Sequence, residues 1–357
     1  MLSILPFGFL FMMVLGFGTL LSLSSVHWLG IWAGLEINLI GFIPILVYKK
    51  EAASSESAVK YFVAQAIGSS LLILGSLVGF SPSFSWNFAD LLLHDQYILS
   101  LSVVIMALIL KMGAFPLHYW LPSVMAGLQW MPCLILVTWQ KVAPIFLMVS
   151  FFEVHYMFWL SMMVALVGAG SSMTGGVGGI GQTQIRVLLA YSSIGHLGWI
   201  MFSAMVSELV TSMYFFIYIV ISISIFFNLW IVDMKNMYNM KSFMQKSNIS
   251  IVNILVLLIS LGGLPPLLGF VSKMIVIAGS VSHNFLFMLS FLVLGALMSL
   301  FYYLSLFFSL YLGYSSILKT KFYYNELWLN INNSFILVTN FLGVFVIIWL
   351  FFEGLFW

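Results

Sequence analysis

Residues 106–120 read MALILKMGAFPLHYW, an apolar run with a lysine, a glycine and a proline set in its middle. Proline removes a backbone donor and clashes with the turn before it, so this run is not one continuous helix. The carbonyls it frees must be met by water, side chains or ions. Lys111 puts a charge in the same place, where insertion scales set a cost of about 2.5 to 3.5 kcal/mol. Residues 262–279, GGLPPLLGFVSKMIVIAG, repeat the pattern with Lys273 on the other side of the prolines. Two further charges interrupt apolar stretches: Glu36 in WLGIWAGLEINLIGF (28–42) and Lys141 in ILVTWQKVAPIF (135–146). Charges at membrane depth face a polar interior and by default mark a pathway.

The rest of the chain agrees with a membrane setting. Of its 357 residues 63% are hydrophobic and 6% charged, with a mean hydropathy of +1.14, which excludes an ordinary soluble domain. A spanning helix needs about 20 apolar residues, and on that measure the sequence predicts about eleven spans with no stretch left for a soluble domain. They run over 4–23, 26–48, 58–80, 98–121, 132–152, 156–180, 185–206, 209–232, 250–280, 284–312 and 334–357.

Loop charges test that count, because basic residues gather on one side of a membrane. Lys49, Lys50 and Lys60 follow the second span, Arg186 the sixth, Lys235, Lys241 and Lys246 the eighth, and Lys319 and Lys321 the tenth. All of these basic residues fall in even-numbered loops. The odd loops carry Asp90, Asp95, Glu153 and Glu208 with His27, His94, His155 and His283, which read as surface residues rather than ligands. The N-terminus is thus expected on the positive side and the C-terminus opposite. The first residues, MLSILPFGFLFMMVLG, do not resemble a cleavable address, so insertion is expected to begin with the first span. Cys133 is the single cysteine, which rules out an intrachain disulfide and reads as packing.

Paired interrupted helices at corresponding places point to a transporter made of inverted repeats. Here the interrupted span is fourth among spans 1 to 5 and fourth among spans 6 to 10. Five is odd, so the second copy enters from the opposite side. The expected fold class is an all-α polytopic membrane protein of two inverted five-helix repeats, 1–152 and 153–312, followed by a loop and one extra helix in 313–357.

Six titratable groups then share membrane depth: Glu36, Lys111, His118, Lys141, His196 and Lys273. Desolvation disfavours the charged form of any such group, so proton affinity there responds to a neighbouring charge, which is the chemistry of a proton relay. Each also has a structural reading. Glu36 can serve as a buried partner of a lysine, Lys111 and Lys273 can cap carbonyls at the breaks, Lys141 can snorkel, and the two histidines can hydrogen-bond within the bundle. The stretch Gly176-Val-Gly-Gly-Ile-Gly181 fits G-x-G-x-x-G, but it ends an apolar helical run instead of following a strand, so it reads as close helix packing rather than a nucleotide site. A haem would find only His118 and His196 as axial candidates. No motif for nucleic acid or a small-molecule ligand is present.

Several ordered stretches carry a resemblance: WLGIWAGLEINLIGFIP, ESAVKYFVAQA, LILKMGAFPLHYWLP, MAGLQW, TWQKVAPI, LLAYSSIGHLGW and SLGGLPPLLGF, between Trp28 and Lys273. Together they resemble the NADH-ubiquinone oxidoreductase chain 2 family, the antiporter-like membrane subunits of respiratory complex I. The resemblance implies proton translocation driven by electron transfer elsewhere in the complex. It makes Glu36 the first-bundle glutamate, Lys111 the interrupted-helix lysine, Lys141 the central lysine and Lys273 the second-bundle lysine, with His118 and His196 as polar links. It further implies flavin, iron-sulfur and ubiquinone sites on other subunits and none in this chain, other membrane-arm subunits and lipid as partners, and the mitochondrial inner membrane with basic loops in the matrix. Bacterial relatives carry three further N-terminal helices, so the shorter form implies a face covered by other subunits. Two rival functions stay open at this point, a stand-alone cation/proton antiporter subunit and a structural spacer in the membrane arm.

Overall fold

The computed structural model describes residues 8–48, 51–83, 86, 98–154, 158–232, 248–280 and 285–317. The described secondary structure is helical throughout: α1 Gly8–Ser24, α2 Trp28–Val47, α3 Ala52–Ser83, α4 Ile98–Met112, α5 Trp120–Gly127, α6 Trp130–Val137, α7 Trp139–Val154, α8 Phe158–Gly179, α9 Ile185–Val206, α10 Glu208–Val232, α11 Asn248–Gly262, α12 Leu268–Ser280 and α13 Leu286–Ile317. Among the described residues, seven stretches of helix are long and apolar enough to cross a membrane, and four shorter apolar helices include both halves of the ninth span. The eleventh span, 334–357, lies outside the described residues, as do His94, His155, His283, Asp90, Asp95 and the lysines at 49, 50, 235, 241, 246, 319 and 321.

The fourth and ninth spans break where the prolines require, and the two breaks share one backbone form. In the first, Gly113 takes φ +73°, its N–H reaches the carbonyl of Leu110 at 3.1 Å, and the N–H of Ala114 reaches Ile109 at 3.1 Å. In the second, Gly263 takes φ +79°, its N–H reaches Ser260 at 3.0 Å, and the N–H of Leu264 reaches Ile259 at 3.4 Å. Both are Schellman ends, in which a left-handed glycine lets the chain fold back on the last helical carbonyls. Three residues after each glycine comes a cis X-Pro bond, Phe115-Pro116 and Pro265-Pro266.

The fifth span differs from the expectation of a continuous helix over 132–152. It is divided at Thr138, whose hydroxyl turns back to the carbonyl of Leu134 at 2.8 Å, and Pro144 lies one turn further on inside α7. A side-chain hydroxyl competing for a helical carbonyl, followed by a residue with no N–H, disturbs the regular ladder twice within seven residues. Lys141 sits between the two disturbances. The third helix is longer than expected, starting at Ala52, so Lys60 belongs to its first turns and pairs with Glu56 at 2.6 Å.

By packing the chain divides into two compact units, Met1–Val167 and Gly168–Trp357, with the division inside α8. In the first unit α1 lies against α2 with glycine as the spacer: a Cβ on Gly18 would meet the backbone nitrogen of Asn38 at 2.6 Å, and one on Gly34 would meet that of Ser22 at 2.5 Å. Small residues of this kind let apolar helices approach where the hydrophobic effect gives no preference for protein over lipid. α3 packs against α2, α4 and α5, and α7 against α1 and α4. In the second unit the glycines that matched the nucleotide pattern serve the same purpose. Gly175 and Gly176 meet the backbones of Gly195 and Gly295, while Gly178 and Gly179 face the rings of Tyr191 and Tyr302. There α10 packs on α9, α11 and α12, and α13 on α9 and α11.

Candidate functional site

In the first unit Lys111 occupies the last turn of α4, and both that lysine and Lys141 are buried. A cation at a helix C-terminus is favoured by the helix dipole. Two neutral donors satisfy the carbonyls at this end: Trp120 Nε1 donates to Leu110 at 3.0 Å, and Gln65 Nε2 donates to Lys111 at 3.2 Å. The lysine stem runs over Gly68 of α3, where a Cβ would stand 3.0 Å from Lys111 Cγ. Glu36 is half-buried on α2. Among the described residues Glu36 and Lys111 do not meet as an ion pair within 4 Å.

Beside these charges runs a neutral chain. Tyr61 donates to Gln140 Oε1 at 3.2 Å, and Gln140 Nε2 donates to Asn38 Oδ1 at 3.0 Å, tying α3, α7 and α2 together next to Lys141. Tyr61 is wedged edge-on between Phe42 and Trp120, with ring centroids 5.2 and 5.8 Å away. His118 lies in the break after α4. Its Nδ1 is 3.2 Å from the carbonyl of Pro116, and its ring stacks on Tyr119 with centroids 4.3 Å apart. A carbonyl only accepts, so Nδ1 carries the proton and Nε2 is the nitrogen that changes state.

The second unit arranges its lysine otherwise. Lys273, on α12, turns back across the break and donates from Nζ to the carbonyl of Gly262, the last residue of α11, at 2.8 Å. Its side chain passes over Gly263, where a Cβ would lie 2.7 Å from Nζ and 3.0 Å from Cδ. Gly263 therefore meets two demands, a left-handed φ and the room for this lysine. On the other side Lys273 lines a cavity of about 10 Å³ together with His196, Ser192, Trp199, Ser299 and Tyr303. That is room for about one water among polar groups. His196 Nδ1 is 3.0 Å from the hydroxyl of Tyr214, and the ring of Tyr218 lies at 5.1 Å. Ser272 stands beside the Tyr214 hydroxyl, one residue before Lys273.

Residues 25–299 match the family model described as NADH:quinone oxidoreductase/Mrp antiporter, transmembrane. Over 310 residues the chain is 40% identical to the NADH-ubiquinone oxidoreductase chain 2 of Anopheles gambiae, covering 85% of each protein. The chain belongs to the NADH-ubiquinone oxidoreductase chain 2 family. The protein of that name from Aedes aegypti is 37% identical over 343 residues, 94% of each chain. Among solved structures, a chain of respiratory complex I from Thermus thermophilus superposes with a TM-score of 0.81 at 23% identity, over 94% of this chain and 77% of that one, and so shares the fold.

For this member of the NADH-ubiquinone oxidoreductase chain 2 family, all four ionisable groups picked from the first half of the sequence fall in the first unit, and His196 and Lys273 fall in the second. Within the second unit the two line one cavity. Among the described residues no three of His, Cys, Asp or Glu come together as a metal site. Asn38, Tyr61, Gln65 and Gln140 in the first unit and Tyr214, Tyr218 and Tyr303 in the second are not charges in apolar runs and so do not stand out as Lys111 or Lys273 does. A signal for them exists: Tyr61, Gln65 and Ser69, and likewise Tyr214, Tyr218 and Ser222, recur every four residues in apolar runs and are all buried. Polar groups at helical spacing in a membrane span mark the face turned to the bundle interior.

Proposed function

We propose that this chain is a proton-translocating, antiporter-like subunit of respiratory complex I in the mitochondrial inner membrane, carrying protons through buried lysine, glutamate and histidine side chains while electrons pass from NADH to ubiquinone on other subunits. The observation that carries the reading is that each unit holds a buried lysine at an interrupted helix whose glycine, proline and end hydrogen bonds follow one pattern. A helix end offers carbonyls and a partial negative charge to a cation, and a lysine there can gain or lose its proton without a soluble counter-ion. Family membership supports the same reading, since the named relatives are subunits of NADH-ubiquinone oxidoreductase.

Within it, Glu36 sets the proton affinity of Lys111 through space, and Lys141 is the next cation of the first unit. His196 and Lys273 exchange protons through the one-water cavity of the second. His118 is a polar link at the first break. The ten spans expected before residue 313 are read as two inverted copies of one five-span element, with the basic loops in the matrix and the redox centres on other subunits. Other membrane-arm subunits and lipid are its partners.

A second reading, a spacer whose charges serve assembly, is favoured by one contact, the cap of Lys273 on Gly262. The deciding measurement is the number of protons moved per ubiquinone reduced in sealed vesicles, with Lys111→Met set against the unaltered complex after native gels show equal assembly. The relay reading expects the ratio to fall, or pumping and ubiquinone reduction to collapse together. An unchanged ratio and rate would leave the spacer.

A further inference from the structure

Tyr214 takes no part in the relay as set out above, yet its position gives it a task. It is 1% exposed, deep in a membrane-spanning bundle where a hydroxyl without a partner is costly. Beside Ser272, its partner is His196 Nδ1, at 3.0 Å. An imidazole has two nitrogens on different edges of the ring, so occupying Nδ1 reserves Nε2 as the nitrogen that can exchange a proton elsewhere. His196 and Lys273 both line the cavity, and about one water fits there. Tyr218, with its ring at 5.1 Å and 37° to the imidazole, limits the histidine from another side.

We propose that Tyr214 is a positioning residue for proton transfer between Lys273 and His196, acting by holding Nδ1 of the histidine through both of its protonation states. The proposal rests on the reading of His196 as a relay station. A tyrosine hydroxyl suits this task because its oxygen accepts a hydrogen bond. In the neutral ring Nδ1 carries the proton and donates to the tyrosine oxygen, leaving Nε2 bare, and in the imidazolium Nδ1–H donates to the same oxygen. The ring therefore keeps its orientation as a proton arrives at Nε2, where an N–H bond forms while one N–H bond of the Lys273 ammonium, relayed by the water, breaks. Phenylalanine would fill the same space and accept no hydrogen bond. Among the described residues, the titratable groups placed near His196 include Tyr214 and Tyr218 from α10, Lys273 from α12 and Tyr303 from α13.

The test uses the whole complex in sealed inner-membrane vesicles, with Tyr214→Phe, His196→Ala and the double variant compared for proton pumping across a pH series. Tyr214→Phe is expected to assemble, to lower pumping about tenfold or less, and to move the pH midpoint of pumping by about half to one unit, the size of one hydrogen bond. The double variant is expected to match His196→Ala, because the tyrosine acts through the histidine. If Tyr214→Phe leaves both rate and pH profile unchanged while His196→Ala impairs pumping, Tyr214 has no positioning role. Losses that add in the double variant overturn it too. If His196→Ala itself pumps normally, it is the reading of His196 as a station that fails. Should Tyr214→Phe not assemble, Tyr214→Gln keeps a polar group in reach of the ring. Recovery of assembly and pumping by that variant supports the proposal, and failure of both variants to assemble makes Tyr214 structural.

Discussion

Lys273 Nζ donates to the carbonyl of Gly262 at 2.8 Å, reaching across eleven residues and a helix break to the end of the preceding helix. In the first unit the corresponding end is held by neutral donors, Trp120 and Gln65, and Lys111 is not needed for the purpose. The two lysines at the two breaks thus differ in what their removal exposes.

Lys273→Met is expected to cost stability as well as pumping, because it leaves a buried carbonyl unpaired at about 1 to 3 kcal/mol. Lys273→Gln restores a neutral donor. Thermal inactivation of the complex in both variants should rank Met below Gln, with pumping low in each. Equal pumping in Gln and the unaltered complex would mean the cap is the whole role of this lysine.

Lys111→Met, by contrast, should leave thermal inactivation close to that of the unaltered complex, since Leu110 and Lys111 keep their side-chain donors. Trp120→Phe should do the reverse, shifting inactivation by about 1 to 3 kcal/mol as the Leu110 carbonyl loses the indole. A large stability loss in Lys111→Met would show that its ammonium supports the break after all.

Gly263→Ala and Gly181→Ala form a controlled pair. Both glycines have positive φ, +79° and +85°, so an alanine at either meets backbone strain of about 1 to 2 kcal/mol. Around Gly181 there is open space, whereas a Cβ on Gly263 strikes the Lys273 side chain. The expected outcome is similar backbone destabilisation, with pumping impaired only in Gly263→Ala. Equal pumping in the two would show that Lys273 does not depend on its place over Gly263.

Tyr61→Phe and Gln140→Leu cut the same neutral chain at different links. Each is expected to cost about 0.5 to 1.5 kcal/mol, with Gln140→Leu the larger because it leaves both Tyr61 and Asn38 without their partner. Measured together by thermal inactivation, the two should be non-additive. Strict additivity would mean that the chain is not one network.

The apolar helices and the two breaks were legible in the sequence because their causes are local. A run of apolar residues, a proline without an N–H and a glycine able to take positive φ act through their own backbone and their nearest turns. So the broken spans at 98–121 and 250–280 stood out before any contact was known, and the division at Thr138 did not, because a hydroxyl that bonds back to its own helix looks like any other threonine in sequence. Lys111, Lys141 and Lys273 were visible for the same local reason, each being a charge in an apolar run. What each one touches was not. Glu36 does not meet Lys111 within ion-pair distance, Lys273 holds Gly262, and His196 holds Tyr214. Gln140 and Asn38, joined by one hydrogen bond, are 102 residues apart in the chain. Partners at such separation are chosen by how helices pack, through small residues that let one backbone approach another, and only the folded chain decides which polar faces then meet.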